Sequence, residues 1–274
     1  MKNIVGENIA RYRKEKGLTQ EEVAKQLNIT CQAVSKWENG YSSPDISLFP
    51  CLASILSVSI DKIMGYSHNF DPRSYYDEYY NKEEYFWGVK PSTMCLKVLE
   101  LMPPTKPLRL LDIGCGEGKD SVFFARCGYT VSAFDISDAG IEKTKRLADK
   151  ANVYVDVFKA NIWDFRLEQK YDILFSSGVL HYIKPELKKE IFSNYKEYTQ
   201  SNGINAMHCL VDKPFINDVP GKQSHSQHWK SGQLLTLYHD WYIEDCVEYV
   251  FDCNSGGVSH KHAANRVYAK KITK

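Results

Sequence analysis

The sequence predicts two domains of different class: a first domain of five short helices and a second, α/β domain built on a parallel sheet. Three observations carry this. The chain has 274 residues, long enough for two domains. Its first 66 residues are cut by cap and turn residues at helical spacing. From about residue 107, β-rich apolar runs alternate with helical ones, the pattern of a parallel sheet covered on both faces.

Each short helix has its own punctuation. Ile9 and Tyr12 share a face of the first, which Gly17 stops. Thr19 is an N-cap, with Glu22 completing a capping box, and Val23 and Leu27 form the apolar face of the second. Asn28 ends it. Thr30 caps the third, with Val34 and Trp37 inward, and Asn39-Gly40 stops it. Ile46, Phe49, Leu52 and Leu56 repeat the apolar spacing, and Ser59 caps a last helix through Ile63.

In the second domain, "LRLLDIGCGEG" reads as a buried strand and glycine turn, followed by a helix closed at Gly128. "YTVSAFDIS" is a second strand, and Ser137 caps the next helix. "VYVDVFKANIW" is a third strand and "YDILFSSGVLHYI" a fourth. "INAMHCLVD", "VEYVFD" and "NRVYAKKIT" supply the rest. Ligands in such sheets sit at the carboxyl ends of the strands, where the glycine turn lies.

Composition narrows the function. A net charge of +1 gives the whole molecule no pull toward nucleic acid or membrane, so any DNA contact is local. No run of about 18 apolar residues suggests a membrane span. The first residues do not read as a signal peptide, so a cytoplasmic protein is expected. Eight cysteines without a Cys-x-x-Cys pair read as scattered thiols, not a disulfide or zinc framework. His225, Gln227 and His228 read as a polar insertion, and His260 and His262 as exposed strand alternation, so no metal centre is expected.

The second and third helices have the length and short connection of a helix-turn-helix. Through "GLTQEEVAKQLNIT" and "AVSKWENG", residues 1–66 resemble the Cro/phage-repressor (XRE) family. The resemblance implies DNA binding, with the helix after Thr30 in the major groove. Cys31, Gln32, Ser35 and Lys36 would then face bases or phosphates, Gln20 a phosphate at a helix N-terminus, and Asn39 the DNA backbone. Gln and Lys have the chemistry for adenine and for phosphate or guanine; Cys31 departs from the usual polar residue. Arg13 and Glu38 match the family's core salt bridge. With eight Lys/Arg against seven Asp/Glu in residues 1–66, one copy binds DNA weakly, and a homodimer on a pseudo-palindrome is expected.

Residues 67–90 are crowded with Tyr and acids. Flexible linkers are rarely so aromatic. Two readings stand: a lid over the second domain's site, drawn from Tyr75, Tyr76, Tyr79, Tyr85 and Trp87, or a solvated spacer.

The turn is Gly114-x-Gly116-x-Gly118, not the G-x-G-x-x-G of dinucleotide folds, and no lysine-Ser/Thr pair marks a P-loop. Asp112 precedes the turn, and Asp135 ends the second strand, where an acid can hold two ribose hydroxyls. Through "LLDIGCGEG…FDIS", most of residues 107–210 resemble the Rossmann-like class I S-adenosylmethionine (SAM) methyltransferases, which implies a methyltransferase domain over residues 91–274. The words "GCG-G" and "GY-V-…-D" are similar to their tellurite-resistance and thiopurine branch. The resemblance implies SAM as cofactor, held by Asp112, Gly114, Gly116, Gly118, Asp135, Ile136, Asn161, Ile162 and Ser177, with Asn161 where Asp is commoner. It implies a small-molecule methyl acceptor. A thiolate or reduced chalcogen needs little base; an amine or hydroxyl needs one, for which His181 and Tyr85 are the catalytic candidates. No Asn/Asp-Pro-Pro-Tyr or Pro-Cys motif of DNA methylation is present, so the DNA-binding head does not deliver DNA as substrate. Two readings share these motifs: an enzyme that regulates its own gene, or a transcription regulator whose methyltransferase-like domain only senses SAM or another small molecule.

Overall fold

Local capping chemistry sets the helices of the first unit. The computed structural model describes residues 4–64, 76–77, 79–216, 229–254 and 259–272. Its contacts divide the chain into Met1–Asp71 and Pro72–Lys274. The first unit holds α1 (Ile4–Glu15), α2 (Gln20–Leu27), α3 (Cys31–Glu38), α4 (Phe49–Leu56) and α5 (Ile60–Met64). The Thr19/Glu22 capping box is formed in full, a device of about 1 kcal/mol. Thr30 caps α3 by accepting from the Ala33 N–H, and Asn28 leaves α2 in the left-handed region at φ 55°. Ile9, Val23, Val34, Leu52 and Ile63 are fully buried between the helices. Ile46 departs from the expected apolar face: it is 81% exposed. The Asp45 side chain accepts from the Ser47 N–H at 2.9 Å, and the 3₁₀ turn so formed, Ile46–Leu48, precedes α4 instead of extending it.

The second unit is a seven-stranded sheet of order β3-β2-β1-β4-β5-β7-β6. Its strands are β1 (Arg109–Ile113), β2 (Thr130–Asp135), β3 (Asp156–Lys159), β4 (Tyr171–Ser177), β5 (Thr199–Val211), β6 (Tyr242–Cys253) and β7 (His260–Lys270). The first five are parallel neighbours. The wholly parallel sheet expected from the sequence is corrected here: β7 runs antiparallel to both β5 and β6. A short connection between β6 and β7 allows only that, because parallel neighbours need a crossover of a dozen residues or more. Helices α6 (Thr93–Leu101), α7 (Lys119–Arg126), α8 (Asp138–Lys150), α9 (Lys188–Glu197) and α10 (Gln233–Thr236) complete the unit. Met94, Val98 and Phe124 pack with Leu110 and Phe175 in one core. Ile191, Phe192 and Leu234 pack with Leu111 and Met207 in another. The carboxyl ends of β1, β2 and β4 therefore meet at one edge, each followed by a turn.

Candidate functional site

The turn after β1 is held by its surroundings. Gly114, Gly116 and Gly118 all have positive φ, at 72°, 55° and 83°. A Cβ on Gly114 would lie 2.7 Å from the Val179 side chain, and one on Gly118 2.6 Å from Thr144. The first glycine thus fits the turn against the loop after β4, and the third seats it on α8. Asp135, at the end of β2, accepts from the Gly116 N–H at 2.8 Å and the Ser137 N–H at 2.9 Å. Each carboxylate oxygen takes one backbone donor and keeps lone pairs for others. Burial pushes the Asp135 carboxyl up, and the backbone N–H bonds oppose that shift.

Asp112 is 2% exposed and accepts from the Ser121 hydroxyl at 2.6 Å. Burial, then the neighbouring Asp120 carboxyl, pushes its own carboxyl up to about 8. Ile136 follows Asp135 and is half-buried. Asn161 begins the turn after β3, its side-chain oxygen taking the Trp163 N–H at 3.0 Å, and Ile162 is buried beside it. Ser177 ends β4, level with His208 of β5. Nearly all the expected cofactor residues thus come to one edge of the sheet.

His181 is 6% exposed in the 3₁₀ turn after β4, its ring 4.2 Å from that of Tyr182. Tyr85 lies elsewhere: its hydroxyl donates to the Lys143 carbonyl of α8 at 3.4 Å.

The aromatic segment carries residues that the sequence reading missed. Tyr80 is 5% exposed, and a Cβ on Gly116 would stand 3.0 Å from its hydroxyl. Trp87 Nε1 donates to that hydroxyl at 2.9 Å. Tyr76 stacks on Tyr80 at 5.3 Å and shares a 2.8 Å hydrogen bond with Tyr182. Asp77 accepts from the Ser137 hydroxyl. Beneath lies a buried ion pair, Lys143–Glu117 at 2.8 Å, with side chains 4% and 1% exposed. Glu117 accepts the Phe86 and Trp87 N–H groups at 3.1 Å each, and Lys143 donates to the Glu84 carbonyl at 2.5 Å. Tyr75 lies outside the described residues, as do His225, Gln227 and His228. Among the described residues, His260 and His262 are half-buried, not exposed as expected.

In the first unit, Cys31, Gln32 and Lys36 are exposed on α3 and Ser35 is half-buried. Arg13 makes a two-pronged bond to Glu38, at 2.6 and 2.8 Å. Gln20, expected to point at phosphate, donates to Glu38 at 2.8 Å. Asn39 donates to the Ser35 carbonyl at 2.8 Å, closing its own helix.

The family model described as tellurite resistance protein TehB matches residues 74–273. The chain belongs to the TehB family. A second model, helix-turn-helix, matches residues 9–63. Among relatives, the probable SAM-dependent methyltransferase TehB of Haemophilus influenzae is 26% identical over 60% of this chain and 57% of its own length. The chain thus spans little more than half of that relative. An uncharacterized HTH-type transcriptional regulator of Sinorhizobium fredii is 44% identical over 22% of this chain and 77% of its own. The crystal structure of Haemophilus influenzae TehB has the same fold: TM-score 0.59, 21% identity, covering 73% of this chain and 66% of that one. No described helix is long and apolar enough to cross a membrane.

Proposed function

We propose that the TehB-type unit methylates a small molecule at the expense of SAM, and that residues 1–66 bind DNA as a transcription regulator does. The observation that carries the enzyme reading is the Asp135 carboxylate, fixed by the Gly116 and Ser137 N–H groups at the edge of a turn where Gly114 and Gly118 have no room for a Cβ. The residues fit the cofactor. Asp135 has lone pairs left for two ribose hydroxyls, the buried Asp112 carboxyl suits a cationic ligand, and Ile136, Asn161 and Ile162 suit adenine. When bound, SAM supplies an electrophilic methyl group.

The chain's own contribution is alignment and exclusion of water. Residues 76–77 and 79–87 act as a lid: Tyr80 covers the glycine turn, and Tyr76 ties it to the loop after β4. A thiolate or reduced chalcogen, the acceptor class that the family description suggests, arrives already nucleophilic. His181 is the base candidate if the acceptor carries a proton. Tyr85, whose hydroxyl is committed to the Lys143 carbonyl, anchors the lid.

Calorimetric titration with SAM and its demethylated product tests this. Micromolar binding of both is expected, weakened at least a hundredfold in Asp135→Ala. Methylation of thiol or tellurite acceptors should follow. A folded chain that binds neither ligand would sink the reading. For DNA, exposed Gln32 and Lys36 are the proposed readers, with a homodimer spanning two half-sites.

A further inference from the structure

The β6–β7 hairpin gathers a second constellation. Cys253 closes β6, His260 opens β7, and the two are directly opposed in the antiparallel register. His262 is two residues further along β7, so the pleat puts it on the face of His260. One donor atom from each of the three residues lies within 4.8 Å of the other two, and all three are half-buried. The imidazole Nε2 atoms approach to 2.9 Å, with the rings at 90°. Phe251, opposite His262 in register, lies 5.7 Å from its ring. On the other face of the ribbon Asp252 and Lys261 pair at 2.7 Å, so the charges are kept apart from the sulfur and nitrogen donors.

We propose that Cys253, His260 and His262 bind one tetrahedral metal ion, Zn(II) by the chemistry of the donors, with a fourth position open to water or an external thiolate. One thiolate and two neutral imidazoles are a donor set for zinc, whereas magnesium and calcium need oxygen ligands. Zinc bonds of about 2.0–2.1 Å to nitrogen and 2.3 Å to sulfur place tetrahedral N···N pairs about 3.3 Å apart and N···S pairs about 3.6 Å apart. The observed N···N approach is within a few tenths of an ångström of the first figure, and the Cys253 sulfur, within 4.8 Å of both nitrogens, is the donor that must close in. Binding releases the Cys253 thiol proton to solvent and leaves both imidazoles neutral.

The test uses the full chain, reduced and stripped by a chelator. It is titrated with Zn(II) against a chromophoric competitor and with Co(II) by absorption. One equivalent should bind at micromolar Kd or tighter, with tetrahedral Co(II) bands and a thiolate charge-transfer band. Cys253→Ser should abolish the charge-transfer band and weaken Zn(II) at least tenfold. His262→Ala should weaken it as much. Cys246→Ser, an exposed thiol of the same strand, should change nothing. Zn(II) should raise the melting temperature of the stripped chain by more than that of Cys253→Ser at the same concentration, and the variant's own transition reports that it folds. Absence of stoichiometric binding by the folded chain overturns the proposal. So does an unchanged affinity and spectrum in both Cys253→Ser and His262→Ala, which would assign the ion to others among the eight Cys and eight His.

Discussion

Asp112 shows how one buried residue ties the site to pH. Its carboxyl, 2% exposed and beside Asp120, is pushed up to about 8, whereas in the unfolded chain it ionises near 4. Between those values the folded protein holds a proton that the unfolded chain has lost, so stability falls as pH rises, by up to about 1.4 kcal/mol per pH unit from this group. A cationic ligand works against that proton. SAM affinity should therefore rise as pH climbs toward about 8 and level off above it, with proton release on binding in buffers below that pH. Asp112→Asn should flatten both dependences. Calorimetry in buffers of different ionisation enthalpy reads the proton count, and a wild-type affinity flat from pH 6 to 9 would remove Asp112 from the site.

At the scale of elements, the Lys143–Glu117 pair joins α8 to the glycine turn and to residues 84–87. Breaking it from one side leaves a buried charge alone, a loss of about 3–5 kcal/mol. Lys143→Met should lower the unfolding midpoint accordingly and weaken SAM by loosening the lid. Adding Glu117→Gln should restore much of the stability, which a double-mutant cycle measures. The first unit has a matching device in Glu38, which binds both Arg13 and Gln20. Gln20, expected at a phosphate, is engaged within the unit instead; on the proposed reading the exposed face of α3 reads the bases. Gln32→Ala should cost about 1–3 kcal/mol of discrimination at one base pair. Lys36→Ala should weaken all sequences alike, as a band-shift series over operator variants would show. The caps at Thr19, Thr30 and Ser137 were legible because capping is local, and the glycine turn because its residues are contiguous. Tyr80 does not stand out in the sequence, since an aromatic run does not show which of its rings faces the site. Glu117 and Lys143 are 26 residues apart, and Cys253 meets His260 only through strand register, which spacing in sequence does not reveal. Ile46 was misplaced because a local Asp45 turn overrode the apolar period.

For the whole molecule, the question is whether cofactor and DNA affect each other. Residues 1–66 carry eight Lys/Arg against seven Asp/Glu. On the proposed reading few phosphates are neutralised per copy, and specific binding would rest on two copies and on small energies. Small energies are easily modulated. Phe86 and Trp87 are bonded to Glu117 of the glycine turn, and residues 79–87 follow in sequence on the segment leading from the first unit. On the proposed reading, a ligand that holds residues 79–87 more firmly on the site changes the entropy of placing two DNA-binding heads on one operator. The expected coupling is about 1–3 kcal/mol, or roughly 5- to 150-fold in operator affinity. Reciprocity makes the claim strict: the factor by which SAM changes operator affinity must equal the factor by which operator DNA changes SAM affinity. Both can be measured on the full chain, by fluorescence anisotropy with and without saturating SAM and by calorimetry with and without DNA. Lys143→Met, which frees the lid from its anchor, should bring both factors toward one. Equal nonunit factors that survive Lys143→Met would show that the coupling runs through another route, and factors of one in the wild type would show that the two units act independently.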